Sequence, residues 1–161
     1  MASGKSSIGI ALAEQLGIDF IDLDAYIEME EDMTISEIFA KKGELYFRKK
    51  ESEVLNLILD KESFVLSTGG GTPCYGKNMG DILAKSTHSL YLNLSIPNLV
   101  ERIARESDTR PLVKNISHQE LPEFVGKHLF ERRFFYTQAA FTLDCDGKGI
   151  PEIVREIDDL L

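Results

Sequence analysis

Behind Lys5 the apolar residues Ile8, Leu12 and Leu16 recur at helical spacing and Gly17 follows, which predicts a helix closed by a glycine C-cap. Asp19 to Asp24, DFIDLD, then reads as a short buried strand running into carboxylates. Thr34-Ile35-Ser36-Glu37 is a capping-box signature ahead of the helical ISEIFAKK, with Gly43 as its end, and ELYFRKKESEVLNLIL begins a longer amphipathic helix. Three further runs have strand length and strand composition: SFVLST (Ser63 to Thr68), HSLYLNL (His88 to Leu94) and FTLDC (Phe141 to Cys145). Pro97 stands in the first turn of a helix carrying Leu99, Val100 and Ile103. LPEFVGKHLFERRFFYTQAA predicts another helix, and Pro151 opens a last one through Ile153, Ile157 and Leu160. From Glu106 to Leu121 the chain is polar, contains Pro111 and shows no sustained apolar period, so a mobile loop is expected there.

Helix and strand alternate throughout, which argues for one three-layer α/β/α domain with a parallel sheet. In such a sheet a strand normally feeds the first helix. None precedes Lys5, which favours a chain clipped at its front.

Composition narrows the function. The chain has 161 residues, 43% of them hydrophobic and 28% charged, which is ordinary globular usage and enough for a core without disulfides or metals. Eighteen basic residues against 27 acidic ones give a net charge of −9. General attraction to nucleic acid or anionic membranes is excluded, so an anionic ligand has to be held by a few concentrated cations. No apolar run approaches a membrane span and no signal-peptide pattern is present, from which a soluble cytoplasmic protein is expected. Cys74 and Cys145 lie far apart and read as reduced thiols, and His88, His118 and His128 are too scattered for a metal site.

Gly4-Lys5-Ser6 is the second half of the phosphate-loop pattern G-x-x-x-x-G-K-[ST], whose first Gly would fall before Met1. There Lys5 would reach the β- and γ-phosphates and Ser6 would ligate Mg²⁺; alternatively Ser3 merely caps a helix and Lys5 is solvated. Asp22 and Asp24, two apart on the predicted strand, are expected on one face, where a cation and a substrate hydroxyl would relieve their repulsion. Solvated turn aspartates are the other reading. Arg48, with Glu51 three residues on, is either a preorganised fork for a carboxylate or an ordinary surface ion pair. Gly69-Gly70-Gly71 after a strand permits close backbone approach to a ligand. Arg110 lies in the polar loop, and Arg132 and Arg133 lie on the helix behind it.

The order G-K-S, D-x-D, G-E-x-x-F-R-x-x-E, G-G-G, R-P-L and R-x-x-x-Y resembles the shikimate kinase family over nearly the whole chain. The resemblance implies a phosphate-loop, nucleoside-monophosphate-kinase-like fold with a five-stranded parallel sheet whose first strand is missing here. It also implies a substrate-binding region over about 24–60, a lid over about 106–121, and ATP-dependent phosphorylation of the shikimate 3-hydroxyl, with ATP and Mg²⁺ required. By the same resemblance Ala2, Ser3, Gly4, Lys5, Ser6 and Ser7 form the ATP-phosphate loop, with Ser6 and Asp22 serving Mg²⁺. Asp24 meets the substrate hydroxyls as candidate base, Arg48, Gly70, Gly71 and Arg132 bind shikimate, Arg110 contacts the phosphates, and Arg102 and Pro151 match the adenine pocket. A monomer without nucleic-acid or membrane partners is implied too. Phe134 replaces a Pro usual in R-x-P-x-Y; the spacing back from Tyr136 favours Arg132 over Arg133. A gluconate kinase of the same fold, or a non-catalytic binding module, are the rival expectations.

Overall fold

The computed structural model describes residues 2–105, 116–117 and 119–161. In chain order these form α1 (Lys5–Leu16), β1 (Asp19–Asp22), α2 (Leu23–Glu31), α3 (Ile35–Leu59), β2 (Phe64–Ser67), a 3-10 turn (Thr72–Cys74), α4 (Asn78–Lys85), β3 (Leu90–Asn93), α5 (Ile96–Arg105), α6 (Leu121–Tyr136), β4 (Phe141–Asp144) and α7 (Ile150–Asp158). None of these helices is long and apolar enough to cross a membrane. Arg110 and most of the expected lid lie outside the described residues.

α1 runs from Gly4 to Gly17, whose amide closes onto the carbonyls of Ala13 and Glu14, and it buries Ile8 and Leu12. The stretch DFIDLD departs from expectation. Its strand stops at Asp22, because that carboxylate caps α2 by accepting from the amides of Asp24 at 3.1 Å and Ala25 at 3.3 Å. Asp24 therefore sits in the first turn of a helix, and the two aspartates are not alternate residues on one strand face.

α3 opens on a complete capping box: Glu37 N–H donates to Thr34 Oγ1 at 3.2 Å and Thr34 N–H to Glu37 Oε2 at 2.9 Å. As expected, the helical conformation is interrupted at Gly43, which holds φ 82° and ψ 169°, so α3 is two helical segments joined at a kink. Only glycine adopts that conformation readily.

The strands form two parallel pairs. β1 lies beside β2 in the register Asp19 to Phe64 through Asp22 to Ser67, and β3 beside β4 from Leu90 with Phe141 to Asn93 with Asp144. A single five-stranded sheet is not what the described residues make. β2 and β3 share no ladder and line a cavity of about 810 Å³, apolar along Leu12, Leu16, Val65, Leu66, Leu90 and Leu92. The strand expected ahead of α1 has no counterpart among the described residues.

Two buried clusters follow the same division. One gathers α1, α5, α6, α7 and the β3–β4 pair around Ile8, Leu99, Ile103, Val125 and Ile153. The other gathers α2, α3 and the β1–β2 pair around Leu23, Ile27, Ile38, Leu55 and Ile58. Val65 of β2 packs on the first cluster and ties the two together.

Candidate active site

The N-terminus of α1 supplies one wall of the site. Ala2 and Gly4 both hold left-handed φ, 51° and 84°, so the backbone curls into the helix, and no side chain caps it. First-turn amides without a cap, beside the positive end of a helix dipole, favour an anion. Lys5 adds a cation to the same turn, and its charge also acts on Asp24. Arg102 reaches across from α5 and donates from Nη1 to the Ser3 carbonyl at 3.4 Å, lying against Gly4. Pro151 stands exposed on the first turn of α7, the helix that packs along α1.

Ser6 Oγ donates to Asp22 Oδ2 at 2.8 Å, bringing a hydroxyl and a carboxylate together at the foot of the loop. Asp24 lies a half-turn further on, its carboxyl pushed up to about 6, mainly by burial and then by the charges of Asp22 and Glu51, while Lys5 pulls the other way. A Cβ on Gly69 would come within 3.0 Å of Asp24 Oδ1, so the backbone after β2 passes directly against this carboxylate.

At the other end of the same glycine run stands Arg48. A Cβ on Gly71 would meet its Nη1 and Nη2 at 3.1 Å, so a side chain there would press on the guanidinium. Nη1 donates to Glu51 Oε2 at 2.9 Å. Glu51 is 1% exposed and its second oxygen accepts from Thr72 Oγ1 at 2.7 Å, while the equally buried Asn78 donates to the Thr72 carbonyl at 2.9 Å. The pair is thus no surface ion pair: Glu51 is held in the core, and burial of an ionised carboxylate requires such partners. The guanidinium also lies on the Tyr75 ring, 3.8 Å from its centroid.

Arg132 approaches from α6. It interacts with the Tyr136 hydroxyl, which donates to the Gly70 carbonyl, and its charge is felt by Cys74, whereas Arg133 is felt by Tyr91 of β3. Contacts and charge interactions thus link Lys5, Asp24, Arg48, Gly70, Gly71 and Arg132 along the glycine run. Thr72, Tyr75 and Asn78 join them without having been picked out from the sequence, where only the glycine run pointed near them; Tyr136 had served there to fix the spacing back to Arg132. Among the described residues there is no cluster of three or more His, Cys, Asp and Glu side chains able to hold a metal.

An uncapped helix start with its cation, a carboxylate raised by burial and an arginine fork along one glycine run fit a small-molecule kinase of the phosphate-loop class. Comparison with known proteins narrows this. The family model described as shikimate kinase matches residues 1–161, and the chain belongs to that family. A shikimate kinase of Flavobacterium psychrophilum is 46% identical over 162 residues, spanning 100% of this chain and 94% of that one. Among solved structures, a shikimate kinase from Bacteroides thetaiotaomicron superposes with a TM-score of 0.93 at 34% identity, covering 99% of this chain and 93% of the other. One from Acinetobacter baumannii, solved in complex with shikimate, gives 0.89 at 30% identity over 99% and 87%.

Proposed function

We propose that this protein transfers the γ-phosphoryl group of ATP to the 3-hydroxyl of shikimate, releasing 3-phosphoshikimate and ADP. The observation that carries the reading is the placement of Asp24 and Arg48 against Gly69 and Gly71, the two ends of one glycine run. A ring acid lying along that run meets a proton acceptor at one end and a carboxylate fork at the other. Family membership and the shikimate-bound relative from Acinetobacter baumannii support the same substrate.

Phosphoryl transfer asks a protein mainly for position and charge compensation. Arg48 and Arg132 hold the substrate carboxylate and orient the ring. Asp24, raised towards neutrality, accepts the hydroxyl proton as the new O–P bond forms and the bond from the γ-phosphorus to the bridging oxygen breaks; the proton then passes to solvent. Lys5 and the first-turn amides of α1 offset charge on the transferring group, with Arg110 assigned to the same task from the lid. The Ser6–Asp22 oxygen pair suits a hard cation that keeps most of its water, so these two residues would hold Mg²⁺. Bound there, Mg²⁺ supplies neutralisation of the nucleotide phosphates. Arg102 and Pro151 are assigned to the adenine. The working unit is a monomer in the cytoplasm.

A coupled ADP-release assay with shikimate, with gluconate and with no acceptor tests the proposal. Turnover is expected with shikimate alone. Equal turnover with gluconate would assign the site to another kinase, and loss of acceptor dependence would reject it as a kinase site.

A further inference from the structure

The resemblance assigns nothing to Tyr75, yet this residue touches both sides of the arginine fork. It follows the 3-10 turn in extended conformation and is 37% exposed, with its ring face on the Arg48 guanidinium at 3.8 Å. Phe47 and Phe39 lie farther from the same cation, at 5.0 and 5.9 Å. The Tyr75 hydroxyl meanwhile donates to Glu44 Oε1 at 3.0 Å. That oxygen is also 3.5 Å from Arg48 Nε, an ion pair without a hydrogen bond, since Nε is buried and finds no hydrogen-bond partner.

These contacts leave a specific problem and its solution on view. Arg48 has two protein carboxylates beside it. Glu51 is fixed by Thr72 and takes Nη1. Glu44 is exposed, lies one turn before Arg48 on α3 and has the chemistry of the ligand itself. Were it free to rotate, it could close on the fork in the two-point geometry a substrate carboxylate needs. Nη2, which makes no hydrogen bond among the described residues, would then be lost to the substrate. The Tyr75 hydroxyl takes up the Glu44 oxygen nearest the fork, and the ring covers one face of a side chain with many rotamers, holding it against Gly71.

We propose that Tyr75 is a positioning residue for substrate recognition: its ring sets the Arg48 guanidinium and its hydroxyl restrains Glu44, keeping the Nη2 edge open to an incoming carboxylate. This rests on Arg48 being the carboxylate clamp of the function proposed above. Tyr75 touches neither the reacting hydroxyl nor the phosphates, so its effect falls on acceptor affinity and not on the chemical step.

Steady-state kinetics with shikimate on Tyr75→Ala, Tyr75→Phe, Glu44→Gln/Tyr75→Phe and Arg48→Ala, with thermal midpoints alongside, test it. Tyr75→Ala is expected to raise the shikimate KM about tenfold with kcat within twofold, equivalent to about 1.4 kcal/mol of binding. Tyr75→Phe keeps the ring and frees Glu44, so KM rises about threefold, and Glu44→Gln in that background restores it. A Tyr75→Ala KM within twofold of the parent, or a Tyr75→Phe defect that Glu44→Gln does not relieve, overturns the proposal. Should Tyr75→Ala fail to fold, the Phe and Gln variants decide alone. If Arg48→Ala leaves KM unchanged, the clamp reading fails and this inference with it; if Arg48→Ala raises KM and the Tyr75 variants do not, only the inference falls.

Discussion

As the proposed base, Asp24 would set the chemistry of this protein against its stability. Its carboxyl is raised from 3.8 to about 6 by burial and by neighbouring acids, so the native state holds the proton more tightly than the unfolded chain does. The stability this lends is full below 3.8 and is lost as pH rises through 6; at neutral pH the ionised group is a burden of up to about 3 kcal/mol. Asp24→Asn should therefore lose turnover by about a hundredfold or more, the range of general-base effects. The same variant should melt higher than the parent at pH 7.5, with the gain shrinking towards pH 4.5. A melting difference independent of pH would show that the raised carboxyl is not its source. The sequence offered Asp24 as a candidate base, but its geometry was hidden: D-x-D reads equally as two residues on a strand face. Only the capping bonds of Asp22 show the chain turning into α2 between them.

The element that presents Arg48, the proposed clamp, is α3, and its most informative residue is Gly43. Arg48 lies five positions beyond the break, about 7.5 Å along the axis at about 1.5 Å per residue. Binding sites hold their groups to within about 0.5 Å, so the angle at Gly43 has to be kept to about 4°. Bracing is visible on both sides: Lys42 before the break and Tyr46 and Lys50 after it all reach Glu31 of α2. Gly43→Ala places a Cβ at φ 82°, ψ 169° and should cost about 1–3 kcal/mol, or straighten the helix and swing Arg48 away. Either way the melting temperature should drop by about 2–4 °C per kcal/mol and the shikimate KM should rise, and an unchanged value of both would count against the bracing. The capping box and the glycine of this element were readable in advance. The burial of Glu51 was not, because an Arg and a Glu three apart look the same on a surface, and the partners that admit Glu51 to the core, Thr72 and Asn78, come from another part of the chain. α2 and α4 escaped notice for a related reason: each is short and buries only two residues, Leu23 and Ile27 in one and Asn78 and Met79 in the other.

Over the whole molecule, the alternation of helix and strand predicted the parallel α/β class correctly, because each strand was long enough to show its apolar run. How the strands group was hidden, since pairing depends on which edges face each other and not on local pattern. The outcome is two apolar clusters, each with its own strand pair, meeting along the cavity between β2 and β3. α1 lies across this boundary, packing on β1 and β2 as well as on α7, and Val65 of β2 packs on the first cluster, so the clusters are not independent units. The loop ahead of α1 stands with the first cluster, while Asp24 and Arg48 stand on α2 and α3 of the second, so under the proposed function ATP and shikimate together bridge the two. Resistance to proteolysis should then report occupancy: slower cutting is expected with both reactants bound than with either alone, and equal cutting rates with and without them would contradict that bridging.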